Sequence, residues 1–215
     1  MDAIETMEHR GLTVKIYQDV DAESPRVWDN AGIMALFHKR YTLPNESKLS
    51  SDNFNGWEEM EKHIREELGG LVVLPVYMYD HSGITISTSP FSCPWDSGRI
   101  GFIYATKETI LKEWGKKGSG RVTKKMLETA RRVLEGEIET FDQYITGDVY
   151  GYRVEDASGN HLDSCWGFYG MEDAIGQGRD MAEYHSVELM KARAAKVKAF
   201  IKNHVPLERR EEVLK

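Results

Sequence analysis

The sequence predicts an α+β fold: an antiparallel β-sheet of about five to seven strands, helices packed on one face, and a long C-terminal helix. Three observations carry this. Residues 71–105 hold three apolar, β-leaning runs joined by turn-rich segments. Two more such runs flank the turn at 156–160. From 171 to about 203 the residues favour helix, with no strand alternation. The chain of 215 residues is 40% hydrophobic, enough to bury a real core. Residues 1–170 are expected to form a single α+β domain, with 171–215 a helical extension packed on or beside it.

In order, residues 12–20 (LTVKIYQDV) alternate as a strand, with Leu12, Val14 and Ile16 on one face. After a connection broken by Pro25 and Gly32, IMALFHKRY reads as a short strand, and a hairpin-like pairing of 12–20 with 32–41 follows. Residues 42–55 are polar and turn-rich, the best candidate for a mobile loop. Trp57, Met60, Ile64 and Leu68 fall three and four apart, which is a helix, and Gly69 and Gly70 end it.

The run from 71 to 79 is the most apolar of the chain and reads as a central strand. Pro75 within it calls for a bulge or a one-sided neighbour, because proline cannot donate to a ladder. Strands at 84–88 and 99–105 complete an antiparallel meander. Thr106 caps a short helix to Trp114, and the sequence GKKGSGR is a flexible basic turn. Residues 123–145 read as a helix with Met126, Ala130, Val133, Leu134, Ile138 and Phe141 as its stripe, closed by Gly147. Residues 149–155 and 161–168 make a hairpin. In the last helix Val187, Met190, Ala194, Val197 and Ile201 mark one face and five Lys and Arg residues the other; Gly176 and Gly178 predict a break near its start. Pro206 stops it, and LERREEVLK is left as a short helix or a loose tail.

Charge is uneven. Residues 1–100 carry 16 acidic and 9 basic side chains, residues 101–215 carry 19 of each. An acidic N-terminal half argues against direct nucleic-acid binding, which runs on Lys and Arg. It suits either plain solubility or docking on a basic partner through acids such as Glu58, Glu59 and Glu61. No segment reaches the roughly 18 apolar residues of a membrane span. With an acidic start and two cysteines, a cytoplasmic protein with reduced thiols is expected.

Two polar segments stand out. The joins of the meander carry Asp80, His81, Ser87, Thr88, Ser92, Cys93, Trp95, Asp96 and Ser97; far downstream, HLDSCWGFYG carries Asp163, Cys165 and Trp166. The expectation is that the segments meet in one site. Several chemistries fit these residue types. Cys93 and Cys165 with His81, Asp80, His161 and Asp163 are zinc-ligand types, but neither C-x-x-C nor H-E-x-x-H is present, so no metal and no cofactor are expected. Cys93 or Ser92 with His81 and an Asp has the composition of a nucleophilic site, without a G-x-S-x-G elbow. Asp80, Asp96, Asp142 and Asp163 would suit Mg²⁺ if they converged. Trp95, Trp166, Tyr77 and Tyr79 would clamp a base or a protein anchor. Each of these residues has an ordinary reading as a turn, cap or core residue as well.

The words SPRVWDN, LPVYMYDHSG, STSPFSCPWDSG, GFIY, FDQYITGDVYG and LDSCWGFYG, in this order, resemble a group of uncharacterised proteins encoded by bacteriophages, prophages and plasmids. The resemblance spans residues 13–170 and omits 42–70 and the last helix. It implies origin more than activity and carries over no catalytic residues. A phage or mobile-element accessory protein of this size often counters host immunity, as anti-restriction and anti-CRISPR proteins do, so the expected partner is a host defence protein or nucleic-acid-binding complex in the host cytoplasm. Two functions therefore stay open: an accessory protein that acts by binding, and a pocket protein that binds or hydrolyses a nucleotide-like ligand. The long last helix leaves a homodimer open.

Overall fold

The computed structural model describes residues 2–115 and 120–210. Parts of the GKKGSGR turn and of the C-terminal tail lie outside the described residues. The chain divides into two compact units, one built from Met1–Ala22 with Val149–Lys215 and the other from Glu23–Asp148. The division falls at 22/23 and 148/149 rather than at 170. The α+β class holds, with eight strands among the described residues in two four-stranded antiparallel sheets.

The split unit is a sheet in the order β1 (Glu5–His9), β2 (Leu12–Gln18), β7 (Val149–Glu155), β8 (His161–Tyr169), with α4 (Met171–His204) on one face. Leu12, Val14 and Ile16 of β2 and Tyr152 and Val154 of β7 point to α4, as their alternation predicts. β2 does not pair with residues 32–41: its partners are β1 and β7, in register from Thr13 opposite Glu155 to Gln18 opposite Tyr150. The strand β1 has no signature in the sequence because it is a polar edge, ETMEH, with no buried side chain.

α4 is one continuous helix through Gly176 and Gly178. Its buried row is Ala174, Gly178, Ala182 and Ser186, four apart and all small. A Cβ on Gly178 would stand 2.7 Å from Val14 Cγ1 and 3.2 Å from Tyr152 Cβ. Glycine is there for close approach, not to break the helix. The larger apolar residues that mark the expected face lie further along, and most are exposed.

The inserted unit has the sheet order β3 (Ile33–Leu36), β6 (Ser97–Thr106), β4 (Gly70–Asp80), β5 (Ile84–Ser87). α3 (Lys124–Thr146) and α2 (Lys107–Trp114) cover one face through Ala130, Leu134, Ile138, Phe141 and Ile110 against Leu74, Val76, Ile86 and Ile103. α1 (Trp57–Glu66) adds a layer on the opposite face, with Met60 and Ile64 against Val73, Phe102 and Tyr104. Thr106 and Thr123 cap α2 and α3, and Gly147 closes α3 in the left-handed region at φ 76°. Pro75 is tolerated because β5 pairs only with residues 77–80 of β4, which leaves Pro75 one neighbour, β6. The bulge lies across the ladder, where Val76 faces Gly101 and Tyr77 faces Arg99, so Ile100 is the extra residue.

Residues 42–55 are anchored rather than free. Glu46 donates its N–H to Met34 O at 2.8 Å, and its carboxylate accepts from Met34 N and from Arg26. Arg26 is buried between Glu46 and Glu137, each 2.8 Å away.

Candidate functional site

One of the two polar segments belongs to the inserted unit and the other to the split unit. In the inserted unit β4 ends at Asp80 and β6 begins at Ser97, and the loop between β5 and β6 closes beside them. The Asp80 N–H donates to Asp96 O at 2.8 Å, which ties the end of β4 to the start of β6. The Asp80 carboxylate accepts from the Arg40 guanidinium and, at 3.1 Å, from the Tyr41 hydroxyl. Tyr41 has its phenol pushed up, first by burial and then by the bond to Asp80. His81 Nδ1 lies 3.3 Å from Asp96 Oδ2, and the same oxygen lies 3.7 Å from Cys93 Sγ. Ser97 Oγ donates to Cys93 O at 2.5 Å. The His81 ring stacks on Tyr79, which also meets Phe91.

Of these groups Arg40, Asp80, Asp96 and Ser97 border a cleft of about 330 Å³ whose walls also include His38 and Arg99. Trp95 stands at it 92% exposed, far beyond what a folded domain usually leaves to a tryptophan. Arg99 donates to the Tyr77 hydroxyl at 3.0 Å and lies over the Tyr77 and Phe102 rings, which fixes its guanidinium. Arg40 and Arg99 are not among the candidates the sequence offers. Arg99 follows the segment that ends at Ser97 and Arg40 lies far upstream of it, and a lone Arg in a strand or turn has no distinguishing neighbours until the fold sets both around one cleft.

Ser87 and Thr88 are elsewhere. With Ser89 they line a separate groove of about 410 Å³ against Glu135, Glu139 and Asp142 of α3. There the Asp142 carboxylate accepts from the Ile86 N–H at 2.7 Å and the Thr85 hydroxyl at 2.8 Å. It thereby caps an outward N–H of the edge strand β5. Burial, partly offset by these bonds, raises the pKa of Asp142. Ser92 is an exposed loop residue.

In the split unit, Asp163 of β8 faces α4, where its Oδ2 lies 3.2 Å from His185 Nε2. Cys165 is exposed. Trp166 lies flat over Gly151, where a Cβ would stand 2.3 Å from the indole, and its ring is 5.9 Å from that of Tyr17. Of the carboxylates that would suit Mg²⁺, three lie in the inserted unit, where Asp80 and Asp96 border the cleft while Asp142 caps β5; Asp163 belongs to the split unit. Among the described residues no group of three His, Cys, Asp or Glu side chains could hold a metal ion.

On α1, Glu58 is exposed, Glu59 accepts from the Asn55 N–H and side-chain amide, and Glu61 accepts from Arg65. Two of the three candidate partner-binding acids thus have local tasks.

The chemistry of the cleft follows from its order of contacts. A thiol nucleophile needs the imidazole against the sulfur. Here a carboxylate stands between Cys93 and His81, touching both. What the cleft offers instead is the Arg99 guanidinium fixed on Tyr77, the exposed Arg40 guanidinium beside Asp80, the His38 imidazole and the exposed indole of Trp95, the composition of a recognition site. No protein family, no curated protein and no solved structure matches this chain. No helix among the described residues is long and apolar enough to cross a membrane.

Proposed function

We propose that the protein acts by binding, and that the Trp95 cleft of the inserted unit is its working site. The observation that carries this is the exposed indole of Trp95 beside Arg40 and Arg99. Trp and Arg are the side chains that most often dominate a protein interface, because each contributes large contact area at few rotatable bonds or a rigid fork of donors. The resemblance to phage and plasmid proteins supports a partner among host defence proteins, such as a CRISPR or restriction complex, and an accessory role in the host cytoplasm. The Arg99 guanidinium, which donates to the Tyr77 hydroxyl while Arg40 takes Asp80, favours an acidic or carboxylate-bearing epitope on that partner.

The test uses cells that carry a restriction or CRISPR system and are challenged with phage. Expression of the wild-type chain is expected to relieve protection. Trp95→Ala, at an exposed position, and Arg99→Ala, at a half-buried one and with an unchanged circular dichroism spectrum as its control, are expected to abolish relief while His81→Ala retains it. Full relief by Trp95→Ala rejects the cleft as the site.

A second reading is favoured by the concavity itself. A cleft of about 330 Å³ is at the lower end of small-ligand pockets, and an aromatic plane beside two guanidiniums suits a nucleotide-like ligand. Titration calorimetry with nucleoside mono-, di- and triphosphates separates the readings: saturable binding lost in Arg40→Ala supports the nucleotide, and silence with all of them supports the protein partner.

A further inference from the structure

α4 outruns the sheet it packs on. Its buried row, Ala174, Gly178, Ala182 and Ser186, continues at the same spacing of four as Met190 and Ala194, but these are exposed. From 188 to 200 every residue of the helix is exposed. An apolar seam nevertheless runs along this stretch. Val187, Met190, Ala194 and Val197 fall three and four apart, the spacing of a coiled-coil seam, with Phe200 on its flank. Met190 is 58%, Val197 51% and Phe200 60% exposed. Ile201, next in the pattern, is buried, so the open seam ends before it.

Its flanks carry one sign of charge. Between 188 and 204 stand Lys191, Arg193, Lys196, Lys198 and Lys202 against the single acid Glu188. Glu188 pairs with Lys191 at 2.9 Å, an exposed pair that neutralises little. Lys191 and Lys198 line one side of the seam and Arg193 the other. A second copy laid parallel would bring Arg193 against Lys198, and one laid antiparallel would bring Lys191 against Lys198. Both are like-charge contacts at the positions that decide coiled-coil pairing. The seam is also narrow, with Ala at its centre and no Trp, whereas a helix lying in a membrane interface needs a broad apolar face.

We infer that residues 187–200 dock an acidic amphipathic helix of a partner protein, seam to seam, with its Glu and Asp residues against Lys191, Arg193 and Lys198. This inference is independent of the Trp95 cleft, which belongs to the other unit.

The probe is a synthetic helix of three heptads with Ile and Leu in the seam and Glu on both flanks, labelled for fluorescence anisotropy against the full chain. Saturable binding is expected, at least tenfold weaker in 0.5 M NaCl than in 0.05 M, and absent for the same peptide with Lys flanks. Val197→Asp and Met190→Asp, at exposed positions, are expected to weaken binding tenfold or more with an unchanged circular dichroism spectrum. Equal affinity for the Glu and Lys peptides, or wild-type affinity in Val197→Asp, overturns the inference. So does a dimer by light scattering that Val197→Asp dissociates, or binding to phosphatidylglycerol vesicles with none to the Glu peptide.

Discussion

Glu137 shows how much one side chain can organise. From the middle of α3 its carboxylate accepts from Ala31 N at 2.8 Å, from Gly32 N at 3.0 Å and from Arg26 Nη1 at 2.8 Å. Gly32 is held so closely that an added Cβ would lie 2.6 Å from both Ile103 Cδ1 and Leu134 Cδ2. Glu137→Ala leaves a buried guanidinium half-paired and two N–H groups unmet, so a loss of about 3 kcal/mol is expected in urea unfolding. Glu137→Gln keeps acceptors for the N–H groups and should recover part of it. Equal stability of the alanine variant and wild type would show that water replaces the carboxylate. Asp142 carries a pH prediction of opposite character. Burial raises its pKa in the folded chain above the unfolded value of about 4, so folding is opposed by its ionisation. That opposition is complete above the folded pKa and vanishes below the unfolded one, so this group adds stability as pH falls through the window between them. Asp142→Asn keeps an oxygen for Ile86 and Thr85 without the charge. It is expected to match or exceed wild type at pH 7, with the gap closing towards pH 4; a gap that is constant with pH would remove the assignment. Neither Glu137 nor Asp142 can be placed from sequence, because both are ordinary exposed-looking acids of a helix until the segments around 31 and 86 fold onto them.

At the scale of elements, the period of the sequence is a good guide to what each segment is, and in β2, α1 and α3 also to the face it buries. The hairpin of β7 and β8, the Thr106 cap of α2, the Gly147 stop of α3 and the one-neighbour position of Pro75 are all legible, since each follows from local chemistry. The buried face of α4 is not. Apolar weight points to Val187, Met190 and Val197, while the contact with β2 and β7 is made by residues too small to register as a stripe. The glycines of α4 separate by environment. A Cβ on Gly176 would meet nothing within 4 Å, whereas Gly178 abuts Val14 and Tyr152. Gly176→Ala should therefore gain up to about 1 kcal/mol by helix propensity. Gly178→Ala should lose about 1–2 kcal/mol by forcing α4 off the sheet. Thermal unfolding of the two variants measures the difference, and a gain in both would mean that the helix and sheet can separate freely.

At the scale of the whole molecule, the order of the strands explains why the domain boundary escapes the sequence. β2 and β7 are neighbours in one sheet although the whole of the inserted unit, residues 23–148, lies between them in the chain. The Asp19 N–H donates to Val149 O at 2.8 Å, so the chain leaves the split unit and returns to it at adjacent points of one ladder. Local patterns cannot reveal a pairing of that sequence separation. The short runs at 12–20 and 32–41 invite pairing only because they are consecutive, although β3 belongs with β6. The geometry makes a strong demand in return. Each unit holds its own apolar cluster, Met34, Leu74 and Leu134 in one and Val14, Tyr152 and Ala182 in the other. Residues 23–148 expressed alone should therefore fold cooperatively, with Trp95 still exposed to quenching by iodide. Residues 1–22 joined to 149–215 through a short Gly and Ser turn should also fold, because that turn only has to close two adjacent antiparallel strands. Melting of both pieces as single transitions is the expected result. If the 23–148 piece is unfolded while the full chain is not, the insertion depends on the split unit for its stability, and the two cores are one cooperative system after all.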